Sequence, residues 1–329
     1  MRPRFLRTMS LTSVGLVVML IAGCTSSGPP KPSGLETTNL TVGAVPVADE
    51  AGLYIAEDQG LFKAEGLNVT IDPIVSSADA TKGQNDGKFD ITAGNSVSYI
   101  QAQVAGQSNL EIIAEGSLMQ PGNQALYTLP GSSVASIAHL KGARIGVNAP
   151  NNIGTLLISS MLEEDGLSPH EVQFVPMPFP EMGTALKQHL IDVAWLPEPF
   201  GSADAESMGL QELSDLDEGA TANFPVGWYV ATKAWAKKNP HTMAAFLDAL
   251  QQGQQIADTR RNAVEQAMEK LPSPYTVPPT IASVMSLESY PLSIAPDIDL
   301  SRVQRVANEM YHFQMLSRPF HVSSMLGGL

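Results

Sequence analysis

Ten side chains that could contact a small molecule lie at or beside the ends of predicted strands. They are Asp49, Ser76, Ser77, Asn95, Ser96, Asn152, Thr155, Trp195, Glu198 and Trp228. Open parallel sheets bind ligands beyond the carboxyl ends of their strands, where loops enter helices and backbone N–H groups are free to donate. The set therefore predicts a site that holds a ligand by hydrogen bonds and by contact with aromatic rings.

Several of these side chains have an ordinary structural alternative. Ser77, Ser96 and Thr155 are residue types that cap helices, and capping is compatible with ligand contact. Trp195 either forms a platform for a flat or apolar ligand or fills a core. Glu198 stands between two prolines, where its carboxylate either accepts from an amine or amidine or stays solvated at a helix start.

Six loops are predicted at these strand ends: residues 46–49, 75–79, 94–97, 151–155, 177–179 and 196–198. None of them contains Lys or Arg, while Asp49, Glu50, Asp79 and Glu198 are in or beside them. An anionic ligand would have to rely on backbone N–H groups against nearby negative charge. The loop composition therefore disfavours a strongly anionic ligand without excluding one.

The histidines and the cysteine lack the spacing of catalytic or metal-binding motifs. The chain has six His and one Cys, Cys24, with no His-x-x-x-His or Cys-x-x-Cys pair. A Gly-x-Ser-x-Gly turn, a phosphate loop and a dinucleotide fingerprint are absent as well. We therefore expect no catalytic residue, no metal and no cofactor.

The elements that position the ten side chains form an internal repeat. Residues 39–45 and 143–147 are both predicted strands, and each is followed by a helix, a strand, a helix and a third strand. Gly43 precedes Asp90 by 47 residues and Gly146 precedes Asp192 by 46 residues. This order implies parallel sheets with right-handed crossovers. We expect two α/β lobes, each a mixed, mostly parallel sheet flanked by helices, with the ligand cleft between them.

The predicted boundaries follow from this repeat. Residues 39–128 and 228–329 form a discontinuous first lobe and residues 129–227 form the second. The chain crosses between lobes near Leu129 and Val226, and it becomes helical after residue 231. Asp299 is a predicted N-cap for one of these late helices, since Asp accepts from the first free N–H groups.

The N-terminus has the pattern of a lipoprotein signal. Arg2, Arg4 and Arg7 precede a short apolar run that ends in Ala22-Gly23-Cys24. We expect residues 1–23 to be removed, Cys24 to be acylated and residues 24–38 to form a flexible tether. The protein would then be anchored by lipid on the extracytoplasmic face of the cell membrane. A plain secretory peptide with an incidental Cys is the alternative.

The charge balance limits the partners. The signal carries three of the 19 Lys and Arg and none of the 33 Asp and Glu, which leaves the rest of the chain at a formal charge of −17. Nucleic-acid binding needs clustered basic residues, and adhesion to anionic lipid does too. We expect neither, so contact with the membrane would be through the N-terminal lipid only.

Four segments resemble the nitrate/sulfonate/taurine and thiamine-precursor group of periplasmic binding proteins. They are residues 51–67, residues 89–92, residues 140–147 and the Trp-Leu-Pro-Glu-Pro-Phe run at 195–200. The likeness covers roughly residues 39–250. It implies a type II periplasmic-binding fold that closes on a small molecule and delivers it to the permease and ATPase of an ABC importer.

The resemblance also implies binding residues and leaves alternatives open. Family contacts carry over to Ser76, Ser77, Asn95, Asn152 and Thr155. Since the loops lack a basic residue, the expected ligand leans towards a pyrimidine-like or amine-bearing molecule. The same fold hosts enzymes that act on small pyrimidines or carboxylates, so an exported enzyme and a ligand-sensing accessory lipoprotein remain open. We expect a monomer.

Overall fold

The computed structural model describes residues 34–327. The strands are β1 (Asn39–Ala44), β2 (Asn68–Pro73), β3 (Ile91–Asn95), β4 (Leu110–Leu118), β5 (Gln124–Thr128), β6 (Arg144–Val147), β7 (Gln173–Pro176), β8 (Val193–Pro197), β9 (Gln211–Asp215) and β10 (Pro225–Thr232). The helices are α1 (Ala51–Asp58), α2 (Leu61–Ala64), α3 (Ser77–Asn85), α4 (Ser96–Val104), α5 (Ile153–Glu164), α6 (Phe179–Lys187), α7 (Phe200–Met208), α8 (Lys233–Lys238), α9 (Pro240–Thr259), α10 (Arg261–Glu269), α11 (Pro279–Ala282) and α12 (Leu300–His312).

The strands form two five-stranded sheets of the same plan. The first sheet has the order β2-β1-β3-β10-β4, and the second has the order β7-β6-β8-β5-β9. In each sheet the three leading strands are parallel and the fourth is antiparallel to its neighbours. The predicted two-lobed α/β fold and its internal repeat are confirmed. We call the first sheet with its helices the first lobe and the second sheet with its helices the second lobe.

The central strand of each sheet, β3 in the first and β8 in the second, is buried along its whole length. All five residues of β3 and all five of β8 are buried, as expected for strands covered by helices on both faces. Helix α5 buries ten of its twelve residues, from Ile153 to Leu162, against the second sheet. Each lobe thereby has a core that fixes the position of its strand ends.

The crossings between lobes lie at residues 119–123 and 216–224. The predicted crossing near Leu129 comes too late, because β5 pairs with β8 and β9 and so belongs to the second lobe. The predicted second boundary places residues 225–227 in the second lobe, whereas β10 pairs with β3 and β4 of the first. Strand pairing across distant segments sets these boundaries, and local sequence patterns do not reveal it.

The predicted signal peptide, Cys24 and most of the predicted tether lie outside the described residues. The tether prediction extends too far at its end, because two of its residues are bound to the start of α9. Glu36 accepts from the backbone N–H of Thr242 at 2.9 Å, and the N–H of Thr37 donates to the Thr242 hydroxyl at 3.2 Å. Among residues 34–327, no helix is both long and apolar enough to cross a bilayer.

The region after residue 231 was predicted to be helical, but part of it is not. Helix α11 ends at Ala282, and the next helix begins at Leu300. The chain between them lies beside β4, where Ser289 pairs with Leu118 and Ile294 pairs with Ala114. This segment carries Glu288 towards the junction of the lobes.

The predicted N-cap of α12 is confirmed. The carboxylate of Asp299 accepts from the backbone N–H of Ser301 at 3.0 Å and from that of Arg302 at 3.2 Å. Arg302 then reaches Glu115 of β4 through two bonds of 2.7 and 2.6 Å, which ties the helix to the first sheet.

Replacing the cap tests this account of α12. Asp299→Ala leaves two helical N–H groups without their acceptor and should lower the free energy of unfolding by about 1 kcal/mol. Urea denaturation followed by circular dichroism measures the change. Asp297→Ala is the matched control, since Asp297 is an exposed residue of the same segment and its side chain makes no hydrogen bond with the described residues. Equal losses in the two variants would contradict the capping role.

Candidate functional site

A cavity lies between the strand ends of the two lobes. The first lobe contributes Val45, Val47, Asp49, Glu50, Ser77, Gly94 and Asn95 to its wall, and the second contributes Gln124, Asn148, Ile153, Phe179, Trp195 and Pro197. The space between the atoms of this wall, part of it open to solvent, is ≈ 330 Å³. The carboxyl ends of β1, β3, β6 and β8 all lead into this cavity, which is where parallel sheets bind their ligands.

The first lobe presents two neighbouring carboxyl groups to the cavity. Asp49 and Glu50 follow β1 in a single helical turn before α1, and they are 7% and 1% exposed. The turn is held by the Tyr290 hydroxyl, which donates to the Ala48 carbonyl oxygen at 2.8 Å. Buried acidic side chains normally have a basic or hydrogen-bonding partner. Asp49 Oδ1 and Glu50 Oε2 have none among the described residues when both groups are ionised.

Burial strongly disfavours the charged forms of this acid cluster. It raises the pKa of Asp49, and it raises the pKa of Glu50 with a further contribution from the negative charge of Asp49. Glu288 lies behind Asp49 within hydrogen-bonding reach, and burial together with Asp49 raises the pKa of Glu288. Two carboxyls this close cannot both ionise easily, and a proton on either one can be donated to the other.

A serine and an asparagine form the adjoining part of the wall. Ser77 Oγ accepts from the Asn95 backbone N–H at 2.8 Å and from Asn95 Nδ2 at 2.9 Å. The approach requires a glycine at position 94, because a Cβ there would overlap Ser77 Oγ. Asn95 Oδ1 caps α4 by accepting from Ser98 N–H at 2.9 Å. The Ser77 hydroxyl proton is therefore left to donate towards the cavity.

The second lobe presents aromatic rings opposite the carboxyls. Phe179 and Trp195 pack edge to face with ring centroids 5.3 Å apart. The Trp195 ring lies against the start of α5, where a Cβ on Gly154 would overlap it. Trp195 is 2% exposed, and its Nε1 has no acceptor among the described residues. The ring thus packs in the second lobe and also forms part of the cavity wall; its role as a platform for a ligand stays a prediction.

Four of the ten predicted residues, Asp49, Ser77, Asn95 and Trp195, line the cavity. Ser76 and Asn152 cap α3 and α5 instead, and Asn152 also accepts from the hydroxyl of Thr155 at 3.3 Å. Ser96 donates to the Pro225 carbonyl oxygen at 3.0 Å. These side chains shape the loops around the cavity without forming its wall.

Trp228 and Glu198 lie deeper than predicted. Trp228, on β10, is fully buried in the core and does not line the cavity. Glu198 is 3% exposed, so the solvated alternative is wrong. Its carboxylate accepts from the Ser202 hydroxyl at 2.6 Å and from the Ser286 backbone N–H at 3.2 Å, which occupies it away from a ligand.

Four polar residues of the site were not predicted as binding residues: Glu50, Gln124, Asn148 and Glu288. Glu50 directly follows Asp49, and the two adjacent acidic residues in this loop could have indicated Glu50 as a site residue. Gln124 opens β5 and lines the cavity with its Oε1 unpartnered among the described groups. Glu288 arrives from a segment more than 200 residues away from Asp49, and no motif marks it.

Besides the bond from Ser286 N–H to the Glu198 carboxylate, three hydrogen bonds join the lobes around the cavity. The Ala48 backbone N–H donates to the Glu198 carbonyl oxygen at 2.9 Å. Gln101 Nε2 donates to the Asn151 carbonyl oxygen at 2.7 Å, and Asn148 Nδ2 donates to that of Val75 at 3.2 Å. The lobes therefore touch on several sides of the cavity.

Comparison with known proteins identifies related sequences. Residues 47–260 match the family model described as NMT1/THI5 like. The nitrate/nitrite binding protein NrtA of Nostoc sp. strain PCC 7120 is 23% identical over 304 residues, which cover 80% of this chain and 68% of NrtA. The nitrate import ATP-binding protein NrtC of Synechocystis sp. is 24% identical over 71% of this chain, but the chain spans only 37% of NrtC.

A fungal enzyme and a solved structure complete the comparison. The 4-amino-5-hydroxymethyl-2-methylpyrimidine phosphate synthase of Candida albicans is 23% identical over 60% of each chain. The alkanesulfonate-binding protein SsuA of Xanthomonas axonopodis pv. citri, solved with bound MOPS, has a TM-score of 0.74 at 16% identity and covers 88% of this chain and 98% of its own. The fold is therefore that of periplasmic binding proteins. Because the matched residues 47–260 make up more than half of the chain, the protein belongs to the NMT1/THI5-like family.

Proposed function

We propose that the protein captures a small molecule between its two lobes and delivers it to the permease and ATPase of an ABC importer. The observation that carries this proposal is the cavity between the lobes, whose wall contains polar atoms without partners among the described residues. Unpaired buried polar groups are costly in a folded protein. A ligand that pairs with them recovers that cost and favours the closed form.

The location and the anchor are part of the same proposal. The N-terminal pattern ending at Cys24 supports an extracytoplasmic protein that is held at the cell membrane by an acyl chain. Relatives named as nitrate-binding and nitrate import components support a role beside a permease and an ATPase. The capture cycle would use one copy of the chain, because the cavity is built from a single chain.

An enzyme is the second candidate, since one relative is named as a pyrimidine phosphate synthase. The thirteen described residues that line the cavity include no His, Lys or Cys. The usual proton-transfer and nucleophilic groups of such sites would thus be limited to Asp49, Glu50 and Ser77. This composition favours binding over turnover. A ligand-sensing accessory lipoprotein would share the cavity and would differ only in its partner.

The proposed mechanism is a hinge motion about the two crossing segments. In the open form the Ala48–Glu198 bond and the other interlobe bonds are broken, and the cavity is accessible. A ligand that touches both walls brings the lobes together, and closure excludes water. The permease would then recognise the surface that is continuous only in the closed form.

Native mass spectrometry of the protein purified under mild conditions tests the capture. We expect a bound small molecule of unaltered mass, and we expect Trp195→Ala to lose it, because the aromatic wall is removed. Trp235→Ala is the matched control, since Trp235 lies on α8 and its Nε1 donates to Asp90 at 2.9 Å, outside the cavity wall. Release of a chemically altered molecule would favour the enzyme instead. Equal loss in both variants would indicate general destabilisation.

The interlobe bonds give a test that needs no known ligand. Gln101→Ala removes the bond to Asn151, and a net hydrogen-bond contribution of about 1 kcal/mol corresponds to about a fivefold shift towards the open form. Hydrogen exchange followed by mass spectrometry should then show faster exchange in peptides that contain Ala48, whose N–H is bonded across the cleft. Gln107→Ala is the control, because Gln107 is exposed on the same lobe and its side chain makes no bond to the described residues. Unchanged exchange at Ala48 would contradict the hinge.

A further inference from the structure

We infer that the cavity takes a small organic cation with N–H donors, such as a protonated amine or amidine, held between the Asp49 and Glu50 carboxylates and the Trp195 ring. This inference rests on the proposed function, because it names the chemical class of the captured molecule. It differs from what the names of the nitrate-related proteins would suggest for this chain.

The charges around the cavity have one sign. The described residues of the wall include two acidic groups and no Lys, Arg or His. The titratable groups that face Asp49 and Glu50 from other elements are Glu288, Tyr54, Tyr99, Tyr229 and Tyr290. Glu198 contacts the turn that carries Asp49 through its backbone carbonyl oxygen and not through its carboxylate. The positive charge of Arg261 acts on the Glu198 carboxyl, where it lowers the pKa against the effect of burial. Among the described residues no cation faces the two wall carboxyls, and a bound cation would stabilise their ionised forms.

The unpaired atoms of the wall are mostly acceptors. Glu50 Oε2 and Gln124 Oε1 have no donor among the described residues, and Asp49 Oδ1 has none while Asp49 and Glu288 are both ionised; all three side chains are more than nine-tenths buried. The unpaired donors of the wall are Trp195 Nε1 and the Ser77 hydroxyl. A ligand that satisfies this wall supplies several N–H groups and also acceptors for these two donors. Small inorganic anions supply acceptors only.

The aromatic wall favours an organic cation over a metal ion. Trp and Phe rings attract cations through their negative faces, and this attraction is strongest where water is excluded. Phe179 and Trp195 stand on the lobe opposite the carboxyls, so one ligand would contact both walls and join the lobes. Within residues 34–327, no three His, Cys, Asp or Glu side chains are arranged to hold a metal ion.

The sign of the ligand's charge determines whether protons are released or taken up on binding. Burial raises the pKa of Asp49 and of Glu50, so both groups keep a proton up to a higher pH than exposed carboxyls do. A cation favours the ionised carboxylates, so its binding releases protons and strengthens as the pH rises. An anion would instead accept hydrogen bonds from the protonated carboxyls, so its binding would take up protons and weaken as the pH rises.

A thermal-shift comparison with defined probes tests the inference. Benzamidine, agmatine and guanidinium serve as cations, and nitrate, bicarbonate and ethanesulfonate serve as anions. We expect at least one cation to raise the Tm, with a larger shift at pH 8 than at pH 6, and no response to the anions. A shift with anions alone would overturn the inference and leave the proposed function in place. If no probe raises the Tm, the molecule released from the native protein decides between the outcomes. A neutral or anionic molecule would overturn the inference. The absence of any captured molecule would count against the proposed function itself.

Calorimetry with the responding cation shows whether protons are released or taken up when it binds. Binding heats measured at one pH in phosphate and in Tris buffer differ by the protons exchanged, because the two buffers have different ionisation enthalpies. We expect net proton release. Proton uptake would overturn the inference even if the cation binds.

Neutral variants of the carboxyls separate binding from folding. Glu50→Gln should weaken the responding cation at least tenfold. It should also raise the Tm of the ligand-free protein at pH 8, because the raised pKa of Glu50 makes native stability fall as pH rises above the unfolded value. Asp49→Asn is the second variant if the first folds poorly. Glu181→Gln, an exposed Glu at the start of α6, is the matched control. Full cation binding by both neutral variants would contradict the assignment.

Discussion

Two adjacent carboxyl groups are buried at the junction of the lobes without a basic partner, and much of the local structure serves to hold them there. Asp49 and Glu50 face rings of the second lobe, with Glu288 behind them. Apolar side chains at these positions would pack the junction at a lower cost, since a buried charge without a partner is strongly destabilising. Proteins accept such a cost mainly at functional sites. In the proposed capture cycle this cost would be greatest in the closed, empty form, and a ligand that pairs with the carboxyls would relieve it.

The acid cluster is connected to the first crossing between the lobes. Glu288 accepts from Asn123 Nδ2 at 2.6 Å, and Asn123 lies in the crossing segment. The Asn123 carbonyl oxygen accepts from the Glu198 N–H at 2.9 Å, and the Glu198 carbonyl oxygen accepts from Ala48 N–H at 2.9 Å. These bonds run from the acid pair through the crossing to the second lobe and back to the turn that carries Asp49. A change of charge at the cavity therefore acts on the same groups that a hinge motion must rearrange.

The twin architecture could be predicted because its signals are local. Hydrophobic strands, helix-ending glycines and the paired Asp90 and Asp192 recur at nearly equal spacing, and each signal depends on residues close in sequence. Both aspartates make the same bond in the structure, accepting from the backbone N–H of Thr41 and of Arg144 at 2.9 and 2.8 Å. The position of β5 could not be predicted in this way, because an antiparallel strand that joins a sheet from outside the repeat is identified only by its partners.

The residues of the cavity wall could likewise be predicted only in part. The rule that ligands bind at the carboxyl ends of parallel strands identifies an edge of the sheet, and it placed Asp49, Ser77, Asn95 and Trp195 at the cavity. The rule does not say which face of a strand a side chain occupies. Trp228 pairs in register with Gly94, a wall residue, yet its ring belongs to the core. Since successive side chains of a strand point to opposite faces, one residue of register decides between wall and core. A distant segment such as the one that carries Glu288 has no register in the repeat, so only the folded arrangement reveals that it completes the acid cluster.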